Sequence, residues 1–134
     1  MKFNTKTRYA LRTMIEIAMD VNQRGILQKE IAKNQEISEK YLDQIISSLK
    51  IAGLVKNVKG KKSGYILAKD SADIAISEII RAFEADFIID EKNYYDENKS
   101  VAAENFWKGL LEKIINYSDS ITLKELGKIE MHSK

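Results

Sequence analysis

The stretch from residue 28 to residue 67 constrains the fold most, because it encodes a helix, a tight turn, a second helix and a basic hairpin in succession. In the second helix, apolar residues recur at helical spacing and predict one buried face: Tyr41, Leu42, Ile45, Ile46 and Leu49. Ser38 is a suitable N-cap, Glu39 places a negative charge in the first turn, and Gly53 can end the helix. The sequence therefore predicts a helix bounded by residues 38 and 53.

The opposite face of this helix is polar, and it suggests contact with DNA. Its side chains are of the kinds that reach base edges and phosphates: Lys40, Asp43, Gln44, Ser47, Ser48 and Lys50. Residues 28–34 predict a shorter helix with Ile31 and Ala32 facing inward, and residues 34–37 predict a turn in which Ile37 is an apolar plug. A short helix, a turn and a longer polar-faced helix form the helix-turn-helix pattern. We expect helix 38–53 to enter a DNA major groove.

A basic hairpin follows the second helix directly. Residues 55–59 and 65–67 predict strands, and residues 60–64 predict the turn between them. Lys59, Lys61 and Lys62 lie at or near the tip, and the apolar pair Ile26–Leu27 can join a later strand. Such a hairpin after a recognition helix is typical of the wing of a winged helix, which contacts the DNA backbone or the adjacent minor groove. The alternative is an ordinary solvated surface turn.

The net charge of +2 hides an asymmetry between the two halves of the chain. Residues 1–69 hold 14 Lys and Arg against 6 Asp and Glu, a net +8, whereas residues 70–134 hold 8 against 14, a net −6. A basic first half suits a polyanion such as DNA, although solvated faces with chance asymmetry would give the same numbers.

The first 21 residues predict an amphipathic helix capped by Asn4 or Thr5. Its inner face comprises Tyr9, Ala10, Met14, Ile17, Ala18 and Val21. Arg8 and Arg12 lie four residues apart on one face, so both can touch a phosphate backbone, and the alternative is that both are simply solvated. Gly25 is expected to end this element.

The second half predicts two further helices and a short terminal segment. Ser77 is expected to cap a helix through Phe83, and residues 101–117 form a long helix with a broad apolar stripe: Phe106, Trp107, Leu110, Leu111, Ile114 and Ile115. A stripe this wide suggests burial against both the same chain and a second copy, and the alternative is that it only completes a monomer core. Ile121, Leu123 and Leu126 are expected to pack back on the domain.

Several classes of protein and site are disfavoured by composition. The chain has no Cys, so it offers no disulfide and no thiolate ligand for zinc or an iron–sulfur cluster. Its single histidine, His132, has no nearby ligand set, and no nucleophile–base pair or phosphate-binding loop is recognisable, so we expect no enzyme. No stretch approaches the roughly 18 apolar residues of a membrane span and no signal peptide is evident, so we expect a cytoplasmic protein that does not bind membranes.

Four motifs resemble those of the IscR/NsrR/CymR-type (Rrf-two) family of bacterial regulators. They are Thr5-Lys6-x-Arg8-Tyr9-Ala10, Ile37-Ser38-x-x-Tyr41-Leu42-x-Gln44, Ala52-Gly53-Leu54-Val55 and Lys59-Gly60-x-x-x-Gly64-Tyr65-x-Leu67, and Ile121-Thr122-Leu123-x-x-Leu126 resembles the family's last segment. The resemblance implies a homodimeric winged-helix transcription factor, usually a repressor, that binds a near-palindromic operator. Carried over to this chain, it places Ser38, Lys40, Asp43 and Gln44 on the recognition helix and Lys59 where the family often has a wing arginine.

Two departures from the family pattern affect what is transferred. The wing has Lys59 where many members have Arg, and Lys cannot make the bidentate fork of Arg. Many members also carry three cysteines that hold an iron–sulfur cluster, whereas residues 86–104 here have carboxylates and two tyrosines: Asp86, Asp90, Glu91, Asp96, Glu97 and Glu104 with Tyr94 and Tyr95. We therefore expect the cluster-free branch and no cofactor. The carboxylates form a solvated loop or, alternatively, bind Ca²⁺ or Mg²⁺, and the tyrosines pack over the long helix, line a ligand pocket or contact a partner.

The sequence thus predicts a mainly α fold with a small β-hairpin: a winged helix-turn-helix domain over residues 1–70, and an effector and dimerisation region over residues 71–134. The expected partners are double-stranded DNA, a second copy of the chain and a small-molecule or protein effector. The expected DNA contacts are Lys6, Arg8, Gln28, Ser38, Lys40, Tyr41, Asp43, Gln44, Ser47, Lys50, Lys59, Lys61 and Lys62. The competing hypothesis is a winged helix that serves as a protein-interaction adaptor, with the wing contacting an acidic partner.

Overall fold

A computed structural model describes residues 2–60, 64–85, 87 and 99–133. Over these residues the chain is mainly helical with a small antiparallel sheet, as the sequence predicted. The helices are α1 (Thr5–Met19), α2 (Gln28–Gln35), α3 (Glu39–Ile51), α4 (Ile76–Arg81), α5 (Val101–Ser120) and α6 (Leu123–His132), and the strands are β1 (Ile26–Leu27), β2 (Val55–Asn57) and β3 (Gly64–Leu67). In the described part of the chain, no helix is long and apolar enough to cross a membrane.

The helix-turn-helix forms as its sequence pattern predicts. The Ser38 hydroxyl accepts a hydrogen bond from the Tyr41 N–H at 3.0 Å and so caps α3. At the other end, Gly53 has a φ of +75°, and the Leu54 N–H donates to the Leu49 carbonyl at 3.0 Å. In the turn between α2 and α3, Ile37 is partly buried against the hydrophobic core. These contacts confirm the predicted cap and end of α3 and the inward position of Ile37, while α2 ends at Gln35, one residue later than predicted.

The three strands form one sheet in the order β1-β3-β2. Ile26 pairs with Tyr65, which confirms that the apolar pair after α1 joins a later strand. Val55 pairs with Leu67 and Asn57 with Tyr65, so β2 and β3 are the two sides of the wing. The first wing strand ends two residues earlier than the predicted residue 59, and residues 61–63 at the tip lie outside the described residues.

The C-terminal segment packs back on the domain, as predicted, and the structure places it against the first helix. Leu123 is completely buried, and its backbone N–H donates to the Ile74 carbonyl at 2.8 Å. In α6, Gly127 lies so close to α1 that an added Cβ would be 3.6 Å from the Ala18 Cβ. The terminal segment is therefore a ten-residue helix that completes the core around α1.

Several predictions about helix ends were wrong. Helix α4 ends at Arg81 rather than at Phe83, α5 continues to Ser120 rather than ending at residue 117, and Gly25 lies in the turn before β1 rather than at the end of α1. Helix α1 ends at Met19, so Val21 lies beyond it and is 67% exposed rather than on the inner face.

Ser77 does not cap α4 but is buried inside its first turn; the N-cap is Ala75, whose N–H donates to the Glu78 carboxylate at 2.9 Å. Long-range pairing sets this end, because Ala75 forms a β-bridge with Thr122.

Candidate nucleic-acid interface

Helix α3 separates its apolar and polar residues onto opposite faces. Leu42, Ile45, Ile46 and Leu49 are each no more than 2% exposed. The side chains predicted to contact DNA on this helix lie on the surface: Ser38, Lys40, Asp43, Gln44, Ser47 and Lys50 are exposed, and Ser48 is half-buried. The core therefore fixes the rotation of the helix about its axis, so that its polar face points outward.

Two other parts of the chain lie beside this polar face. Lys6 from the first turn of α1 and Tyr65 from β3 line one open surface cleft together with residues of α3: Asp43, Gln44, Ile46, Ser47, Ser48 and Lys50. The Lys50 ammonium lies 5.1 Å from the centre of the Tyr65 ring, in cation–π range. The structure thus brings a predicted contact of α1 next to the predicted base-reading residues of α3.

Gln28 connects the wing to the recognition helix through hydrogen bonds. Its Oε1 accepts from the Tyr65 hydroxyl at 2.9 Å, and its Nε2 donates to Asp43 Oδ1 at 2.8 Å and to the Glu39 carbonyl at 3.1 Å. Both polar atoms of the amide are thus engaged within the protein. The geometry gives Gln28 a role in orienting Asp43, while the prediction that Gln28 contacts DNA stays a prediction.

Tyr65 has a perturbed acidity. Burial raises the pKa of its phenol above 10.0, and the negative charge of Asp43 raises it further, while a hydrogen bond with Asn57 partly offsets both effects. The protonated phenol is therefore the form that the folded state favours, and it is the form that donates to Gln28.

We expect Tyr65→Phe to lower the free energy of unfolding by about 1 kcal/mol at neutral pH, because the Gln28 carbonyl loses its donor. The raised pKa means that this contribution is complete below about pH 10 and is lost as the pH rises through the folded-state value. Urea unfolding of both proteins at several pH values measures the effect. The difference between them should shrink under alkaline conditions, and a difference that is constant or grows would contradict this assignment.

The remaining predicted contacts differ in their surroundings. Arg8 and Lys59 are exposed, whereas Tyr41 is half-buried and meets Tyr9 edge-on with the ring centres 5.9 Å apart. Arg12 binds Gln35 through two hydrogen bonds, at 2.8 Å to its side chain and 3.1 Å to its carbonyl, so it joins α1 to α2. Lys61 and Lys62 lie outside the described residues.

The apolar stripe of α5 is largely uncovered. Phe106 is 60% exposed, Leu110 41% and Trp107 37%, whereas Leu111 and Ile114 are half-buried and Ile115 is buried within its own chain. The alternative that the stripe only completes a monomer core does not hold for the three exposed residues. Large apolar groups that lie together on one helix face are typical of a surface covered by another protein.

The site for the family's iron–sulfur cluster lacks its thiolate ligands in this chain. The sequence contains no Cys, so residues present here cannot supply the thiolates that hold such a cluster. Among the described residues, no group of three or more His, Asp or Glu side chains could hold a metal ion. Most of the acidic stretch, including Tyr94 and Tyr95, lies outside the described residues, and the Ca²⁺ or Mg²⁺ alternative there stays a prediction.

Comparison with known proteins gives a consistent result over nearly the whole chain. A family model named Rrf2, described as "Iron-dependent Transcriptional regulator", matches residues 3–128. The HTH-type transcriptional regulator CymR of Bacillus subtilis (strain 168) is 35% identical over 127 residues, which cover 95% of this chain and 90% of that protein. The HTH-type transcriptional regulator IscR of Klebsiella pneumoniae (strain 342) is 31% identical over 131 residues, covering 94% and 79%.

The solved structures agree with the sequence comparisons. The structure of CymR, the global cysteine regulator of B. subtilis, matches with a TM-score of 0.84 and 34% identity, covering 96% of this chain and 97% of that one. These similarities confirm the predicted winged-helix fold and the predicted family resemblance. Because the relatives are transcriptional regulators, they also confirm that the chain is a regulator rather than an enzyme.

Proposed function

The chain belongs to the Rrf2 family of DNA-binding transcriptional regulators, and we propose that it is a homodimeric repressor that binds a near-palindromic operator. Residues 1–70 bind DNA, and residues 71–134 form the dimer and receive the signal, which is a small molecule or a partner protein. The proposed regulator binds DNA without a cofactor, because the chain lacks the cysteine thiolates with which other members hold an iron–sulfur cluster. A regulator that binds the chromosome acts in the bacterial cytoplasm.

The observation that carries the proposal is the polar face of α3, which is exposed between Lys6 of α1 and Tyr65 of the wing. An α-helix with side chains of this kind is of the right size to enter the major groove. In that position Gln44 reads adenine through its amide, Asp43 accepts from cytosine, and Ser38, Lys40, Ser47 and Lys50 contact bases or phosphates. Lys6, Arg8 and Lys59 contact the backbone or the minor groove.

The exposed part of the α5 stripe supports the homodimer. Phe106, Trp107 and Leu110 present a continuous apolar surface on one helix, and a second copy of the same helix offers a matching surface. Dimerisation would place two α3 helices one duplex turn apart, about 34 Å, so that each reads one half-site of the operator.

Selection of bound duplexes from a random pool tests the proposal, carried out once at low salt and once at near-physiological salt. We expect one inverted repeat to survive at the higher salt, because base contacts add to the salt-dependent phosphate contacts. Binding that disappears at the higher salt and shows no sequence preference would contradict a specific regulator. It would instead favour the adaptor hypothesis, in which the wing contacts an acidic protein.

Two kinds of variant separate base reading from phosphate contact. We expect Gln44→Ala to weaken the binding free energy for the operator by about 1–3 kcal/mol and to relax the sequence preference at one base position, because the amide reads a base edge. Lys59→Ala and Lys61→Ala should weaken specific and random duplexes alike, each lowering the salt slope by about one. Titrations on both duplexes at several salt concentrations measure this, with Lys124→Ala on α6 as the charge control, because Lys124 is exposed and lies on neither proposed interface. Equal losses on both duplexes for all three variants would contradict this division of roles.

A further inference from the structure

One carboxylate in the turn that follows α4, that of Glu84, binds the first turn of α1. Glu84 Oε1 accepts a hydrogen bond from the Asn4 backbone N–H at 2.8 Å and from the Thr7 hydroxyl at 2.8 Å. Asn4 is also the cap of α1, because its Oδ1 accepts from the Thr7 N–H at 2.9 Å. A side chain 80 positions later therefore completes the start of the first helix.

An aromatic contact reinforces this junction. The ring of Phe3 meets the ring of Phe87 edge-on, with the centres 5.7 Å apart, and Phe87 is only 5% exposed. Backbone hydrogen bonds fix the position of Glu84 between α4 and Phe87. The Glu84 N–H donates to the Ile80 carbonyl at 2.8 Å, and the Glu84 carbonyl accepts from the Phe87 N–H at 3.1 Å. The segment that follows α4 and the start of α1 thus form one packed unit.

This unit carries a residue of the candidate DNA interface. Lys6 lies between Asn4 and Thr7 in the sequence, and its side chain lines the cleft formed with Asp43 and Gln44 of α3. The position of the first turn therefore sets where the Lys6 ammonium lies relative to the polar face of α3. If the turn loosens, Lys6 loses its fixed place beside the recognition helix.

We propose that Glu84 is a positioning residue for DNA binding, which acts through Asn4 and Thr7 to hold Lys6 at the interface. This inference rests on the proposed function, since it assumes that Lys6 contacts an operator phosphate. Through this contact, a change in the second half of the chain can alter DNA binding by the first half. A ligand or partner that displaces the turn after α4 separates Glu84 from α1 and weakens operator binding.

The sign of the effect distinguishes this role from general electrostatics. Loss of a negative charge ordinarily strengthens the binding of a protein to DNA, because phosphates are repelled less. We expect the opposite for Glu84→Ala: operator affinity falls about three- to tenfold, and the salt slope falls by about one, as for loss of a phosphate contact. Glu84→Gln removes the same charge but keeps an oxygen that accepts from Asn4 and Thr7, so it should bind within about twofold of the wild type.

A double-mutant cycle with Lys6→Ala tests the connection to the interface. Once Lys6 is absent, Glu84→Ala should change the affinity by less than about twofold, since Lys6 is the side chain that Glu84 is proposed to hold in place. Asp119→Ala is the matched control, because it also removes a carboxylate that binds the α4 region, here through Arg81 at 3.2 Å, but one that makes no hydrogen bond to α1 among the described residues. This control should bind the operator at least as well as the wild type. Thr7→Val removes one of the two donors to Glu84 and nearly keeps the shape of the side chain. It should also lower operator affinity, and this loss should likewise disappear in the Lys6→Ala background.

The outcomes separate the inference from the proposed function. If the wild type binds no specific duplex, the proposed function fails, and the inference fails with it. If the wild type binds specifically but Glu84→Ala binds as well or better, or loses the same factor in the Lys6→Ala background, only the inference is overturned. Fluorescence anisotropy with one operator duplex at three salt concentrations measures all of these variants.

Discussion

Replacing Leu110 with Asp should leave the chain folded, convert the proposed homodimer to monomers and weaken binding to the proposed operator by about 100-fold or more. Leu110 is 41% exposed in the single chain, so the carboxylate has access to water and the fold does not depend on the lost side chain. In a dimer formed through α5, the same carboxylate would be buried among apolar groups without a partner, which is strongly unfavourable. A monomer reads one half-site and loses the gain in affinity that comes from two linked contacts.

Light scattering measures the mass of the variant, and titration with the operator measures its affinity. Asn116→Asp is the matched control, because it adds the same charge to an exposed position of α5 outside the apolar stripe. We expect this control to remain dimeric and to bind normally. A Leu110→Asp protein that stays dimeric at low concentration would contradict the proposed interface and would require that the two copies meet elsewhere.

The parts of the fold that short-range patterns determine were predictable from the sequence. Helix α3 is the clearest case, since its cap at Ser38, its buried stripe and its end at Gly53 all lie within 16 residues. Its exposed face followed from the same periodicity, because burying one side of a helix exposes the other. The predicted DNA face of this helix therefore has the exposure that the sequence indicated.

The errors arose where contacts over long distances in the chain compete with local patterns. Apolar spacing favoured continuing α1 to Val21, but the Gln23 side chain donates to the carbonyls of Ile17 and Asp20, and its Oε1 accepts from the Leu67 N–H at 2.6 Å. This requires the chain to leave the helix and reach β3. The partners of Gln28 lie 15 and 37 positions away, so nothing near it in the sequence indicated that both ends of its amide are occupied.

A single added methyl group at Gly25, in the turn between α1 and β1, should strongly destabilise the fold. Gly25→Ala is expected to lower the free energy of unfolding by about 3 kcal/mol. Gly25 has a φ of +108°, which L-residues rarely adopt, and an added Cβ would lie 2.3 Å from Val58 Cγ2. The backbone strain and the overlap each cost about 1–2 kcal/mol. Urea unfolding monitored by circular dichroism measures the loss.

Two companion variants separate these contributions. Gly53→Ala meets a similar backbone restriction at a φ of +75° but has nothing within 4 Å of the added Cβ, so it should lose only about 1 kcal/mol. Adding Val58→Ala to Gly25→Ala removes the methyl group that the new Cβ overlaps, so the double variant should be less destabilised than the two single losses combined. Equal losses for Gly25→Ala and Gly53→Ala would show that Val58 moves aside freely. The base of the wing, where the Val58 N–H donates to the Gly64 carbonyl at 2.9 Å, would then be more adaptable than its packing indicates.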